Sequence, residues 1–235
     1  MKRFMLLSVV AISSIFTSDV AFGQVAKQAV SSSTFTSPQG FSITAPNGWA
    51  IAGKDVTDQI AATVHDEVGS AAAASGSFAV VIFNSADPTH AQNINVVVSE
   101  SAVPIDEAGI EGKIEKVLRD QYSKIGITIS NVSVTKKTFG SHEGLVANVD
   151  SNMTGTPIRQ WQVFFPSANQ TLIVTCTAPP TSFDSATPAF TQALTSMVFP
   201  KPNGHDVFPS WATGAAIGLG VGLGLAITRK MKARK

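Results

Sequence analysis

Between Thr128 and Ala178 four β-rich runs of similar length follow one another, at about 128–139, 145–153, 158–165 and 171–178. Only Gly140-Ser-His-Glu-Gly144, Thr154-Gly-Thr-Pro157 and Pro166-Ser-Ala-Asn-Gln170 separate them. A parallel crossover needs about a dozen residues or more, so connections this short make the segment an antiparallel meander. Pro179-Pro180 ends it. Any fold for this chain has to be built around that sheet.

The preceding sequence supplies further strands and two helices. Phe41-Ser-Ile-Thr44 alternates as a short strand, Pro46-Asn47-Gly48 forms a tight turn, and Trp49-Ala-Ile51 resumes in extended form. Asp55 and Asp58 open an acidic first turn, after which Val56, Ile60, Val64 and Val68 recur every four residues, the pattern of one apolar helix face. That helix frays in the small residues from Gly69 to Gly76. Ser77–Asn84 and Ile94–Glu100 are β-rich, with turn chemistry at Asp87-Pro88-Thr89-His90 between them. The clearest helix is Asp106–Ile125. Ile110, Ile114, Val117, Leu118, Tyr122 and Ile125 fall on one side of it, and charged residues from Glu111 to Asp120 cover much of the rest. A last helix, about Phe183–Met197, presents Phe183, Phe190, Leu194 and Met197, with Pro188 either kinking it or marking its start. The class is therefore α+β, an antiparallel sheet covered by helices.

Both ends of the chain read as membrane signals. Met1-Lys2-Arg3, the apolar Phe4–Phe16 and the small residues at Ala21-Phe22-Gly23 make residues 1–23 a secretory signal peptide. Residues 24–33 are a polar, flexible lead, 34–200 one domain and 201–209 a linker. From Ser210 to Thr228 there is no charge, a length sufficient to cross about 30 Å of hydrocarbon as a transmembrane helix. The basic tail 229–235 begins with Arg229 and Lys230 and favours the cytoplasmic side, and Trp211 anchors the opposite interface. The expected form is a single-pass protein of the cell envelope with its domain outside the cytoplasm, most simply in a bacterial inner membrane facing the periplasm. Gly214, Gly218 and Gly222 line one face of that helix, and Ala216, Gly220 and Gly224 the next. This glycine-zipper spacing permits close pairing with a second copy or another membrane helix.

Composition limits the partners. Without the two termini the chain keeps 10 Lys and Arg against 15 Asp and Glu, a net charge of −5, which disfavours nucleic acid. Cys176 is the only cysteine, so no intrachain disulfide forms, and its place beside Leu172 and Val174 on a strand face marks it as a small buried hydrophobe. His65, His90, His142 and His205 have no metal-ligand spacing with one another or with Cys176. His142 falls in an expected hairpin turn, where exposure is the ordinary outcome. No Gly-x-Ser-x-Gly or Ser-x-x-Lys motif places a nucleophile. Trp49 and Trp161 sit in strand patterns that favour burial over lining a cleft. No catalytic residue, metal or cofactor is assigned.

Several local patterns resemble the PsbP-like and DcrB-like families. They are Phe41-Ser-Ile-Thr-Ala-Pro-Asn-Gly-Trp49, Ile94-Asn-Val-Val-Val98 before the long helix, His142-Glu-Gly-Leu145, Trp161-Gln-Val-Phe164, Leu172-Ile-Val-Thr175 and the closing Phe190-x-x-x-Leu194-x-Ser196-x-x-Phe199. The resemblance covers about Phe35 to Phe199 and implies an α/β/α sandwich. The family's roles vary widely, and the expected function of this chain is that of an accessory or scaffold protein of the envelope acting by binding. The alternative is an envelope hydrolase or small-ligand-binding protein using a cleft between sheet and helices.

Overall fold

The computed structural model describes residues 33–58, 78–87, 89, 91–99, 102–124, 127–153 and 155–201. Strands β1 (Thr34–Thr36) and β2 (Ser42–Thr44) pair as a small ribbon. The main sheet contains β3 (Trp49–Ile51), β4 (Phe78–Asn84), β5 (Asn93–Ser99), β6 (Thr128–Phe139), β7 (His142–Met153), β8 (Thr156–Ser167) and β9 (Gln170–Ala178). Its order is β3-β4-β5-β9-β8-β7-β6 and every neighbouring pair is antiparallel. The chain enters at one edge and works inward to β5. It then passes through helix α1 (Ile110–Lys124) to the far edge at β6 and returns inward to β9, which closes against β5. Helix α2 (Pro180–Thr195) follows.

Strand alternation sorts the core into two layers. On one face Val146, Val163, Phe165, Leu172 and Val174 pack with Phe183, Phe190 and Leu194 of α2, and with Phe41 and Ile43 at the ribbon. On the other, Leu145, Ala147, Val149, Phe164 and Ile173 meet Ile110, Ile114, Leu118 and Tyr122 of α1. Helices thus cover both faces of an antiparallel sheet, as the α+β reading requires. Cys176 is buried on the α2 side together with Leu172 and Val174.

Several boundaries differ from expectation for identifiable reasons. The meander is longer than its sequence signals, because the β6–β7 connection contracts to Gly140-Ser141 and the β8–β9 connection to Ala168-Asn169. Gly140 and Ala168 take the positive φ values that so tight a turn demands, 59° and 48°. His142 therefore lies in strand β7, paired with Phe139, and not in a turn. Helix α1 starts at Ile110, four residues later than the expected start at Asp106, since Gly109 has φ 76° and residues 105–109 form turns. Helix α2 starts at Pro180, where the missing N–H of proline costs nothing. Pro188 lies inside the helix and marks no start. The turn at Pro46-Asn47-Gly48 forms, with Trp49 N donating to Pro46 O at 3.0 Å, but it passes the chain from the ribbon to the main sheet and does not close a hairpin. Residues 54–58 are helical and Val56 is buried; the rest of the expected helix, with Ile60, Val64 and Val68, lies outside the described residues. Among the described residues no helix is long and apolar enough to cross a membrane.

Candidate functional site

Three neighbourhoods hold polar or aromatic groups in unusual settings. The first is on the α2 face of the meander, where Trp161 of β8 is half-buried against Phe183 and Phe190, with ring centroids 5.6 and 6.4 Å away. The Lys137 ammonium stands 5.1 Å over the indole and the Arg159 guanidinium 5.9 Å over Phe183. Arg159 is itself held by Asp150, its partner across the β7–β8 pair, with Nε donating to Oδ1 at 2.6 Å. Trp49 behaves differently. It is buried edge-on to Phe190 at 5.8 Å and belongs to the core.

The second neighbourhood surrounds His142. Residues 196–201 leave α2 as a strap across the ribbon: Ser42 and Val198 exchange two backbone hydrogen bonds of 2.9 and 3.1 Å, and Ser196 Oγ accepts from Thr44 N at 2.9 Å. The strap then reaches the β8–β9 turn, where Ala168 N donates to Lys201 O at 3.2 Å. Phe199 fills the space between Phe165 and His142, and its ring stacks on the imidazole with centroids 3.9 Å apart. Partial burial holds His142 below its ordinary pKa, and Lys201 adds to this, against a hydrogen bond to the Met197 backbone. Gln39, Asn169, Gln170 and Pro200 line a shallow cleft beside the strap.

The third is internal and lies where β5, β9 and β8 run side by side. Asn95 faces Thr175 and Thr175 faces Gln162, while Asn93, Thr177 and Gln160 form the adjacent row. These six side chains alternate with apolar residues that face α2, so they point to the α1 side, and all six are buried. Tyr122 descends on them from α1. Its hydroxyl donates to Gln160 Oε1 at 2.8 Å and accepts from Gln162 Nε2 at 3.1 Å, and Gln160 Nε2 donates to Thr177 Oγ1 at 3.0 Å. Burial pushes the Tyr122 pKa up, so the phenol stays protonated and neutral. Among the described residues, Gln162 Oε1, Thr175 Oγ1 and both side-chain polar atoms of Asn95 have no hydrogen-bond partner. Sequence reasoning missed this cluster. Polar residues at every second strand position ordinarily face water, and only the covering of both sheet faces turns them inward.

The residues singled out for membrane anchoring and helix pairing, Trp211, Gly214, Ala216, Gly218, Gly220, Gly222, Gly224, Arg229 and Lys230, lie outside the described residues, as do His65, His90, His205 and the leader 1–23. Among the described residues no group of three or more His, Cys, Asp or Glu could hold a metal ion. Burial raises the Cys176 thiol pKa far above the range in which thiolates form.

No protein-family model and no curated protein matches the sequence. Among solved structures, the chain is similar to cyanobacterial PsbP (CyanoP) from Synechocystis sp. PCC 6803, with a TM-score of 0.49 and 11% identity, covering 72% of this chain and 93% of that one. It is also similar to LpqN, a protein involved in cell envelope biogenesis of Mycobacterium tuberculosis, with a TM-score of 0.42 and 12% identity, covering 75% of this chain and 95% of that one. At such identities the likeness concerns the course of the chain alone.

Proposed function

We propose that this is an exported accessory protein of the cell envelope, held in the membrane by residues 210–228, whose α+β domain acts by binding a partner and not by turning over a substrate. The observation that supports this most is the charge-free run from Ser210 to Thr228 followed by the basic stretch Arg229-Lys230-Met231-Lys232-Ala233-Arg234-Lys235. Residues 202–209 separate this run from the strap. Eight residues span at most roughly 29 Å when fully extended, so the domain works close to the bilayer surface. The glycine spacing at 214, 218 and 222 supports pairing of the membrane helix with a second copy or with another envelope protein.

Protease treatment of spheroplasts carrying the full chain with a C-terminal tag tests the arrangement. The protein should resist alkaline extraction, the domain should be digested from outside, and the tagged end should be protected. Recovery in the alkaline supernatant, or a protected domain, rejects it. Crosslinking in intact membranes followed by mass spectrometry tests the binding role. Repeated capture of one envelope protein or of a second copy supports it, and capture of lipids and bulk proteins alone removes it.

A further inference from the structure

We propose that the buried polar file of Asn95, Thr175 and Gln162 encloses a neutral guest that both donates and accepts hydrogen bonds, supplied either by an internal water molecule or by a small primary amide. The inference stands apart from how the chain is tethered.

Unmet valence is the first argument. Asn95 can make up to four side-chain hydrogen bonds and makes none with the described residues, although it is fully buried. Thr175 Oγ1 and Gln162 Oε1 are in the same condition and are its successive partners across β5, β9 and β8. A buried polar group left unpaired costs about 1–3 kcal/mol. Native proteins meet such deficits with buried water held by two to four polar partners. Other unpartnered buried side-chain oxygens, on Ser85, Ser151 and Ser167, are single hydroxyls on different strands or turns. Among the described residues, only here do three such side chains stand in one register row.

The second argument is orientation. Hydrogen bonds run from Gln162 Nε2 to Tyr122, from Tyr122 to Gln160, and from Gln160 to Thr177. That chain commits the nitrogen of Gln162 to Tyr122 and leaves its oxygen as an acceptor. The Asn95 amide contributes both a donor and an acceptor, and the Thr175 hydroxyl can serve as either. A guest must therefore offer protons to Gln162 and to the Asn95 oxygen while accepting from the Asn95 nitrogen. Water has this valence, and so does a primary amide, whereas an alcohol has only one proton to give. Charge decides the rest: the only titratable group in the cluster is Tyr122, which is neutral, so an ion there would be buried without a counter-charge.

A crystal structure of the full chain in detergent, at a resolution that reveals ordered water, tests the proposal. Density within about 3.2 Å of polar atoms of at least two of Asn95, Thr175 and Gln162 is expected. Compact density, with a native mass equal to the denatured mass of the same sample, identifies water; extended density with a native mass in excess of it identifies an organic guest. Direct pairing of the three side chains with one another, or an empty space between them, overturns the proposal. Asn95→Leu removes the main anchor and should abolish the density while the bonds from Tyr122 to Gln160 and from Gln160 to Thr177 persist; unchanged density in that variant also overturns it. Should the variant not fold, the wild-type density decides.

Discussion

Tyr122 is the residue through which α1 meets the sheet as a polar as well as an apolar surface. Its ring fills the α1 core and its hydroxyl serves two glutamines of one strand. Tyr122→Phe keeps the ring and strands both amides, so urea denaturation should show a loss of about 1–3 kcal/mol with an unchanged m-value; a neutral result would mean the glutamines re-pair without it. Cys176 calls for a kinetic measurement. Buried and held as a thiol, it should react with a thiol reagent only as fast as the protein unfolds, and labelling at the free-thiol rate in native buffer contradicts this. For His142 the sign follows from the lowered native pKa. The unfolded chain binds the proton more readily, so this contribution to stability is full above about pH 6.5 and is lost as pH falls through the folded value. His142→Gln should flatten that part of the pH profile of stability; a profile identical to wild type excludes the histidine as its source.

At the scale of elements, the signals that survived folding were those set by local chemistry. The apolar side of α1 is buried at Ile110, Ile114, Leu118 and Tyr122, and of the four positions expected on the last helix's face Phe183, Phe190 and Leu194 are buried on α2 and Met197 is buried just beyond its end at Thr195. Signals that depend on what lies opposite were weaker. His142, Glu143 and Gly144 have turn-like composition, yet each pairs in β7 because β6 runs alongside as far as Phe139. Gly144 shows why a small residue is needed there. A Cβ at this position would sit 2.9 Å from the Phe164 carbonyl oxygen and 2.9 Å from a ring carbon of Phe165. Gly144→Ala should therefore destabilise the fold by about 1–3 kcal/mol through overpacking, as read from the shift in the unfolding midpoint; a variant as stable as wild type would show that the Phe165 ring yields freely.

At the scale of the whole molecule, the main sheet consists of two local meanders, β3-β4-β5 and β6-β7-β8-β9, joined along β5 and β9. Sequence periodicity reveals each half and the α+β class. It cannot reveal the junction, which pairs residues as distant as Asn93 and Thr177 and is decided only when both halves exist. Contacts of that separation form slowly. The junction is also where the polar file lies, so matching polar rows help fix the register in which the halves meet. Because one sheet carries both cores, Ile114→Val on the α1 side and Leu194→Ala on the α2 side should act independently yet within a single unfolding transition. Their costs, about 0.5–1.5 and 2–5 kcal/mol, should add to within about 0.5 kcal/mol. Two separate transitions would mean that the layers fold as distinct units.

The strap gives the domain a load path. Tension arriving from residue 202 meets the Lys201–Ala168 bond first and then the paired bonds of Val198 with Ser42. Force is thereby shared between the β8–β9 turn and the ribbon before it reaches the last turn of α2 at Thr195. A pull from that side is resisted by the sheet and its ribbon, and the helix is spared from unwinding.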